Sequence, residues 1–197
     1  MENKEFNSEK SLEIISEMIA STRYKFAEDG FHFLLWGIII VICCLVQFIM
    51  IEFMQMPAES NYVWILMPFV GGPISMWYGA KHRKAQKVKT LIDEFYKYIW
   101  IGFGASMFCT IFLSVSYEHT PTPFILILMA FAVYISGVVL KFKPLIYGSI
   151  VFWVSSILIY FMPSDGYQLL LFAISVMIGY IIPGFLLRNT HKTNTHV

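Results

Sequence analysis

Groups able to do chemistry are scarce along this chain, and their spacing does not suit catalysis. Three cysteines, Cys43, Cys44 and Cys109, lie inside long apolar runs. An odd number of cysteines in such runs does not make a disulfide framework. The vicinal Cys43–Cys44 pair has a redox or metal reading. The plainer one is small, polarisable packing residues. His32, His82 and His119 fall at run ends or in connections, and His191 and His196 in the tail. Glu52 is the only acid within an apolar run. A serine or cysteine nucleophile needs a base beside it, and no run centre offers one. No His-Glu-x-x-His zinc set, phosphate-binding glycine loop or dinucleotide fingerprint occurs. The chain therefore reads as non-enzymatic, with no metal and no cofactor.

The elements that would carry these residues are membrane helices. The 197 residues are 57% hydrophobic and 14% charged, against about 45–50% and about 25% in a soluble domain. The apolar residues arrive in six runs: Phe31–Met54, Tyr62–Ala80, Tyr98–Ser116, Phe124–Leu140, Leu145–Met162 and Gln168–Leu187. Each is long enough to cross a bilayer, the fourth with slight thinning. None alternates as a strand would, which excludes a β-barrel. The fold class is thus all-α, a polytopic membrane protein of six transmembrane helices in three hairpins. Residues 1–30 form a cytoplasmic segment, 31–187 the membrane domain and 188–197 a tail. The polar first 30 residues, with no small-residue cleavage site after the first run, predict a retained anchor rather than a signal peptide.

Charge sets the orientation. All 14 basic residues fall in the N-terminal segment, the second and fourth connections and the tail. The first, third and fifth connections hold none. By the positive-inside rule both termini are cytoplasmic. Aromatic residues at the run ends match two interfacial belts, and Trp153 falls inside its span as a packing residue. Nucleic-acid binding is excluded, since the net charge is only +1.

Three sequence features point inside the bundle. Leu35-Trp36-Gly37, Trp100-Ile101-Gly102 and Ile146-Tyr147-Gly148 open the odd helices alike. They read either as a triplicated hairpin or as ordinary interfacial composition. Small-xxx-small spacings, Gly102/Ser106, Ala132/Ser136 and Ser175/Gly179, mark close helix contacts. The second span carries Pro68, Gly71, Gly72 and Pro73, which predict a kink with freed carbonyls. Those carbonyls must face protein or a wet cavity. A solute pathway there would draw on Gln47, Tyr134 and Tyr180, and would not be proton-coupled, because no span centre holds a charge. Kinked packing, with Gln47 in an interhelical hydrogen bond, is the rival reading.

The cytoplasmic face carries the other signal. Leu12, Ile15 and Ile19 recur at helical spacing within Ser8–Glu28, with Glu9, Glu13 and Glu17 on the polar side. Residues 1–30 carry net −3 and Lys81–Lys97 net +4, including Arg83, Lys84 and Lys87. The acidic helix would be repelled by anionic lipid, so its apolar stripe is expected to meet protein. Docking on the basic extension is one reading. Another is that the basic cluster holds lipid headgroups, while the helix binds a second subunit or a cytoplasmic partner. A solvated loop that only sets topology is the third.

Ser11-Leu12-Glu13-Ile14-Ile15-Ser16-Glu17-Met18-Ile19, Phe33-Leu34-Leu35-Trp36-Gly37 and Gly179-Tyr180-Ile181-Ile182-Pro183-Gly184 carry a resemblance. The chain resembles small six-span inner-membrane proteins of Bacteroidota, over nearly its whole length. That resemblance implies a bacterial inner-membrane location and brings no activity or catalytic residue with it. The sequence thus supports a membrane protein whose cytoplasmic face engages a partner, lipid or second subunit, with a facilitator for a small neutral or amphipathic solute as the alternative. Reversing the charge of Glu13 and Glu17 should expose residues 1–28 to protease, and reversing Lys84 and Lys87 in the same chain should restore protection. Exposure without restoration excludes this pairing.

Overall fold

A computed structural model describes residues 30–83, 91–117 and 120–194, and all regular structure among them is helical. The amphipathic helix expected before residue 30 lies outside the described residues. The helices are α1 (Gly30–Glu52), α2 (Pro57–Ser60), α3 (Val63–Arg83), α4 (Leu91–Ser116), α5 (Thr122–Val139), α6 (Lys143–Tyr160), α7 (Asp165–Val176) and α8 (Ile182–Asn194). A π-helical turn, Met177–Ile181, joins α7 to α8. Together α7, this turn and α8 make one continuous element.

Among the described residues, five stretches are long and apolar enough to cross a membrane: Gly30–Glu52, Lys97–Ser116, Thr122–Val139, Lys143–Tyr160 and Asp165–Asn189. The protein is thus built for a membrane, and large apolar side chains cover its exterior. The second expected span is also a helix, α3, of 21 residues with Pro68 and Pro73 inside it. It is not one of the five. Pro68, Gly71, Gly72 and Pro73 dilute its apolar content without breaking it. The first outer connection, expected as a loop, contains the single-turn α2, which Pro57 starts at the position that needs no N–H donor.

Four elements make the core: α1, α5, α6 and the α7–α8 element. Its centre includes Phe33, Cys44, Leu126, Val133, Leu145 and Phe152. The α5–α6 hairpin packs most extensively, then α1 against α7. Helix α3 lies along α1, and α4 rests on α5. These two helices are peripheral. A solvent-sized probe reaches most of their surface, and only 6% of the spanning part of α4 is buried.

Glycine sets the closest approaches. A β-carbon on Gly148 would overlap the carbonyl oxygen of Gly179, and one on Gly179 would lie 2.7 Å from the Gly148 carbonyl oxygen. Helix α6 and the π-turn therefore touch backbone to backbone. Pro183, just beyond, has no N–H for the usual i−4 bond. The ladder accommodates this by widening, so that Ile182 N–H bonds to the Met177 carbonyl, five residues back. At the end of α1, a β-carbon on Gly30 would lie 2.8 Å from the Gly184 carbonyl oxygen. Hydroxyls reinforce the seam, with Ser155 and Ser175 hydrogen-bonded 2.7 Å apart between α6 and α7.

The turn from α5 to α6 shows local sequence at work. Lys141 N–H bonds to the Val138 carbonyl at 3.0 Å and Phe142 N–H to the Gly137 carbonyl at 2.8 Å. That pattern closes a helix through one left-handed residue, usually glycine. Here it is Lys141, with φ 49°. Pro144 then starts α6 in its first turn.

Three small-xxx-small spacings were expected to mark contacts. Ala132/Ser136 and Ser175/Gly179 are buried in the core. Gly102 faces open space, as do Gly72, Gly79 and Gly104. The three hairpins are therefore not equivalent: tight glycines, Gly37, Gly137, Gly148 and Gly184, belong to the core helices, and open ones to α3 and α4. Gly148→Ala should lower the melting temperature in detergent, by about 1–3 kcal/mol of overpacking. Gly102→Ala should leave it unchanged or raise it, because alanine is the better helix former. Equal behaviour of the two variants would remove the α6–π-turn contact as a determinant of stability.

Candidate functional site

The residues expected to line a solute path do not gather. Gln47 is buried near the Glu52 end of α1, where its polar atoms are fully used. Trp64 Nε1 donates to Gln47 Oε1 at 2.6 Å. Gln47 Nε2 donates to Ser60 Oγ at 3.3 Å and to Asn61 Oδ1 at 3.1 Å. Ser60, itself buried, donates to the Pro57 carbonyl at 2.7 Å. An amide has two N–H donors, and both are engaged. The Trp64 ring stacks on Phe172 with centroids 6.2 Å apart. One side chain thus ties α1, α2 and α3 together, and Trp64 carries the tie to α7. This is the interhelical role weighed for Gln47, with a loop helix as the added partner.

Pro68 and Pro73 lie on the exposed side of α3. Gly71 is buried, and a β-carbon there would lie 2.9 Å from the Trp36 ring. Gly72 has nothing within 4 Å. Ser75 Oγ is shielded and makes no hydrogen bond. Tyr134 points outward against Trp153, with ring centroids 5.6 Å apart. Tyr180 instead sits in the π-turn, 2% exposed, against Phe33 with centroids 5.0 Å apart. Gly37 leaves room for it: a β-carbon there would lie 3.1 Å from Tyr180 Cδ1. Gln47 is ten residues along α1 from Gly37, about 15 Å. Gln47 and Tyr180 therefore lie far apart along α1, and Tyr134 faces outward.

A second polar tie lies at the Glu52 end. Ser164 Oγ donates to Glu52 Oε1 at 3.1 Å. The Glu52 carboxylate lies against Gly166, so close that a β-carbon there would overlap it. Negative charge over a helix's first turn meets the positive end of its dipole. Glu52 thus sits over the start of α7 from a different helix, and Gly166 leaves the space. The sequence marked Glu52 as unusual. Its partner was legible only as a helix start, Ser164-Asp165-Gly166, with no sign of which acid would sit above it.

The cations gather at the opposite end. Phe31 stacks on Tyr78 with centroids 3.9 Å apart, and Phe33 meets Trp100 at 6.5 Å. These contacts place the ends of α3 and α4 level with the start of α1. Lys81 and Lys97 then lie within about 4.5 Å of the Gly30 level, three residues from Tyr78 and Trp100. Gly30 packs on Arg188, whose Cβ would lie 3.2 Å from a β-carbon on Gly30. Lys141 and Lys143 sit at the α5–α6 turn. Glu52, Glu59 and Asp165 lie at the other end of the bundle. Arg83 ends α3, and its side chain lies outside the described residues, as do Leu12, Glu13, Ile15, Glu17, Ile19, Lys84 and Lys87.

No family model, curated protein or solved structure matches this chain. Among the described residues no three His, Cys, Asp or Glu side chains gather as a metal centre would need.

Gln47→Leu should destabilise the protein by about 1–3 kcal/mol, because Trp64 Nε1 loses its acceptor beside the buried Ser60. Trp64→Phe with Gln47→Leu should cost less than the sum of the two single changes, by about 0.5 kcal/mol or more in a double-mutant cycle read by thermal unfolding. Simple additivity would break the link.

Proposed function

We propose that this is a six-span, non-enzymatic inner-membrane protein whose basic, cytoplasmic face engages a partner, lipid or second subunit. The observation that carries the reading is the charge split. Lys81, Lys97, Lys141, Lys143 and Arg188 stand at one end of the bundle, and Glu52, Glu59 and Asp165 at the other. The positive-inside rule puts the basic end, and with it both termini, in the cytoplasm.

Geometry supports α3 as the sixth span. Tyr78 stacks on Phe31, and Trp64 bonds to Gln47. Contacts at both ends run α3 alongside α1 over most of its length. A helix at the same depth as its neighbour crosses the same layer. Its proline and glycine content is compatible with that, since both are frequent in membrane helices. The scatter of the solute-path residues favours the interaction reading over the facilitator.

Native mass spectrometry of the protein released gently from its membrane tests this. The expected result is a bound protein, second copy or lipid that is lost when residues 2–28 are deleted or the basic side chains are neutralised. A small bound molecule that survives both changes, but not Pro68→Ala with Pro73→Ala, would overturn it in favour of solute transport.

A further inference from the structure

The basic end is organised in a way that charge alone does not require. On α3, Lys81 Nζ lies 5.5 Å from the centroid of the Trp77 ring. On α4, Lys97 Nζ lies 5.9 Å from the Tyr98 ring. On α6, Lys143 and Tyr147 are four residues apart, both exposed, so they share one helix face. The three aromatic rings are 64–66% exposed. All three pairs therefore point out of the bundle rather than into its basal surface.

Below each pair runs an apolar stripe. On α3, Trp77 leads at helical spacing to Ile74 and Val70. On α4, Tyr98 leads to Ile101, the exposed Ala105 and Phe108. On α6, Tyr147 leads to Ile150 and Val154. All are exposed, and each stripe follows the three- and four-residue steps of one helix face. The order is the same on three helices: cation at the end, then an aromatic ring, then hydrocarbon. An acidic segment on the cytoplasmic surface would match the cation and leave the part of the stripe at membrane depth uncovered. The occupant that matches all three zones has an anionic head joined to apolar chains.

We propose that the pairs Lys81–Trp77, Lys97–Tyr98 and Lys143–Tyr147 bind the headgroups of anionic phospholipids, whose acyl chains lie along the stripes below. Each lysine reaches the phosphate while its stem follows the helix surface, and the ring lies at the depth where amphipathic aromatics are most stable. Lys141 stands in the same turn as Lys143, in a left-handed conformation that favours glycine. A cation thus stands at the α5–α6 turn where glycine would be less strained. This names the lipid partner left open in the proposed function and rests on that reading for the leaflet involved.

The test uses the full chain in nanodiscs, with acyl chains brominated either on phosphatidylglycerol or on phosphatidylcholine. Trp77 is the reporter, its share of the quenching given by the Trp77→Phe variant. The anionic lipid should be preferred by about fivefold, the ratio that about 1 kcal/mol per lysine near the surface implies. The combined variant Lys81→Gln, Lys97→Gln, Lys143→Gln should bring the ratio to about one, and the three Lys→Arg changes should keep it. Raising salt should lower the ratio in the wild type alone. No preference in the wild type would overturn the proposal, and so would a preference that the three Gln changes leave intact. Both leaflets of the disc have one composition, so this result does not depend on orientation. Protease access to a C-terminal tag in inverted vesicles tests the orientation separately.

Discussion

Within hydrocarbon, an apolar side chain gains little by exchanging lipid for protein, so the bundle depends on how closely its backbones can approach. The decisive contact is Gly148 on Gly179. It brings α6 against the last spanning element without side chains between them. Dispersion between atoms in direct contact, summed over a long seam, then supplies what water would supply to a soluble core. Hydroxyls add little each, about 0.6 kcal/mol in comparable settings, but Ser155 and Ser175 remove two polar groups that hydrocarbon would penalise. The π-turn belongs to the same constraint. Pro183 cannot donate to the ladder, and the widened turn places Gly179 against α6 and Tyr180 against Phe33. One imino residue at the start of α8 thus accompanies both the closest backbone contact and, among the described residues, the most deeply buried tyrosine.

That constraint also explains which parts of the structure could be read in advance. The helices were legible, because hydrocarbon leaves the backbone no other open-chain solution. Most ends moved by one to three residues, as in Phe124–Leu140 found as Thr122–Val139, but Tyr98–Ser116 gained seven residues at its start to become Leu91–Ser116. What periodicity cannot show is which face of a membrane helix packs, since both lipid and protein faces are apolar. The glycines were visible as motifs, yet Gly37 and Gly148 hold core contacts while Gly102 faces open space. A repeat in sequence therefore did not become a repeat in packing. The short α2 escaped for a related reason. Pro57 and Ser60 read as loop residues, and only the buried acceptor they present to Gln47 gives the turn its role.

Polar residues followed the same logic. Gln47 was conspicuous because an amide in hydrocarbon needs partners, and its partners come from α2, α3 and the link between them. Their identity was hidden, since Asn61 and Trp64 are unremarkable in a loop and at a helix start. Pro68 and Pro73 were the strongest sequence signal for a pathway. Both are exposed on a peripheral helix. Helix breakers mark a deviation in the backbone. They do not say whether the deviation faces a cavity or the outside.

The two ends of the bundle then differ in kind. At the Glu52 end, the polar groups just described are spent on one another: Gln47 on the loop helix and Trp64, Glu52 on Ser164 and the start of α7. Each bond there joins two elements, so a ligand would have to break the scaffold to reach them. At the Gly30 end, Lys81, Lys97 and Lys143 face outward, two of them over an aromatic ring and all above apolar surface. A cation–π contact at an exposed site is worth only about 0.5–1 kcal/mol, too little to hold the lysine against a phosphate. The Glu52 end is therefore closed by its own hydrogen bonds, whereas Lys81, Lys97 and Lys143 at the other end form no ion pair among the described residues.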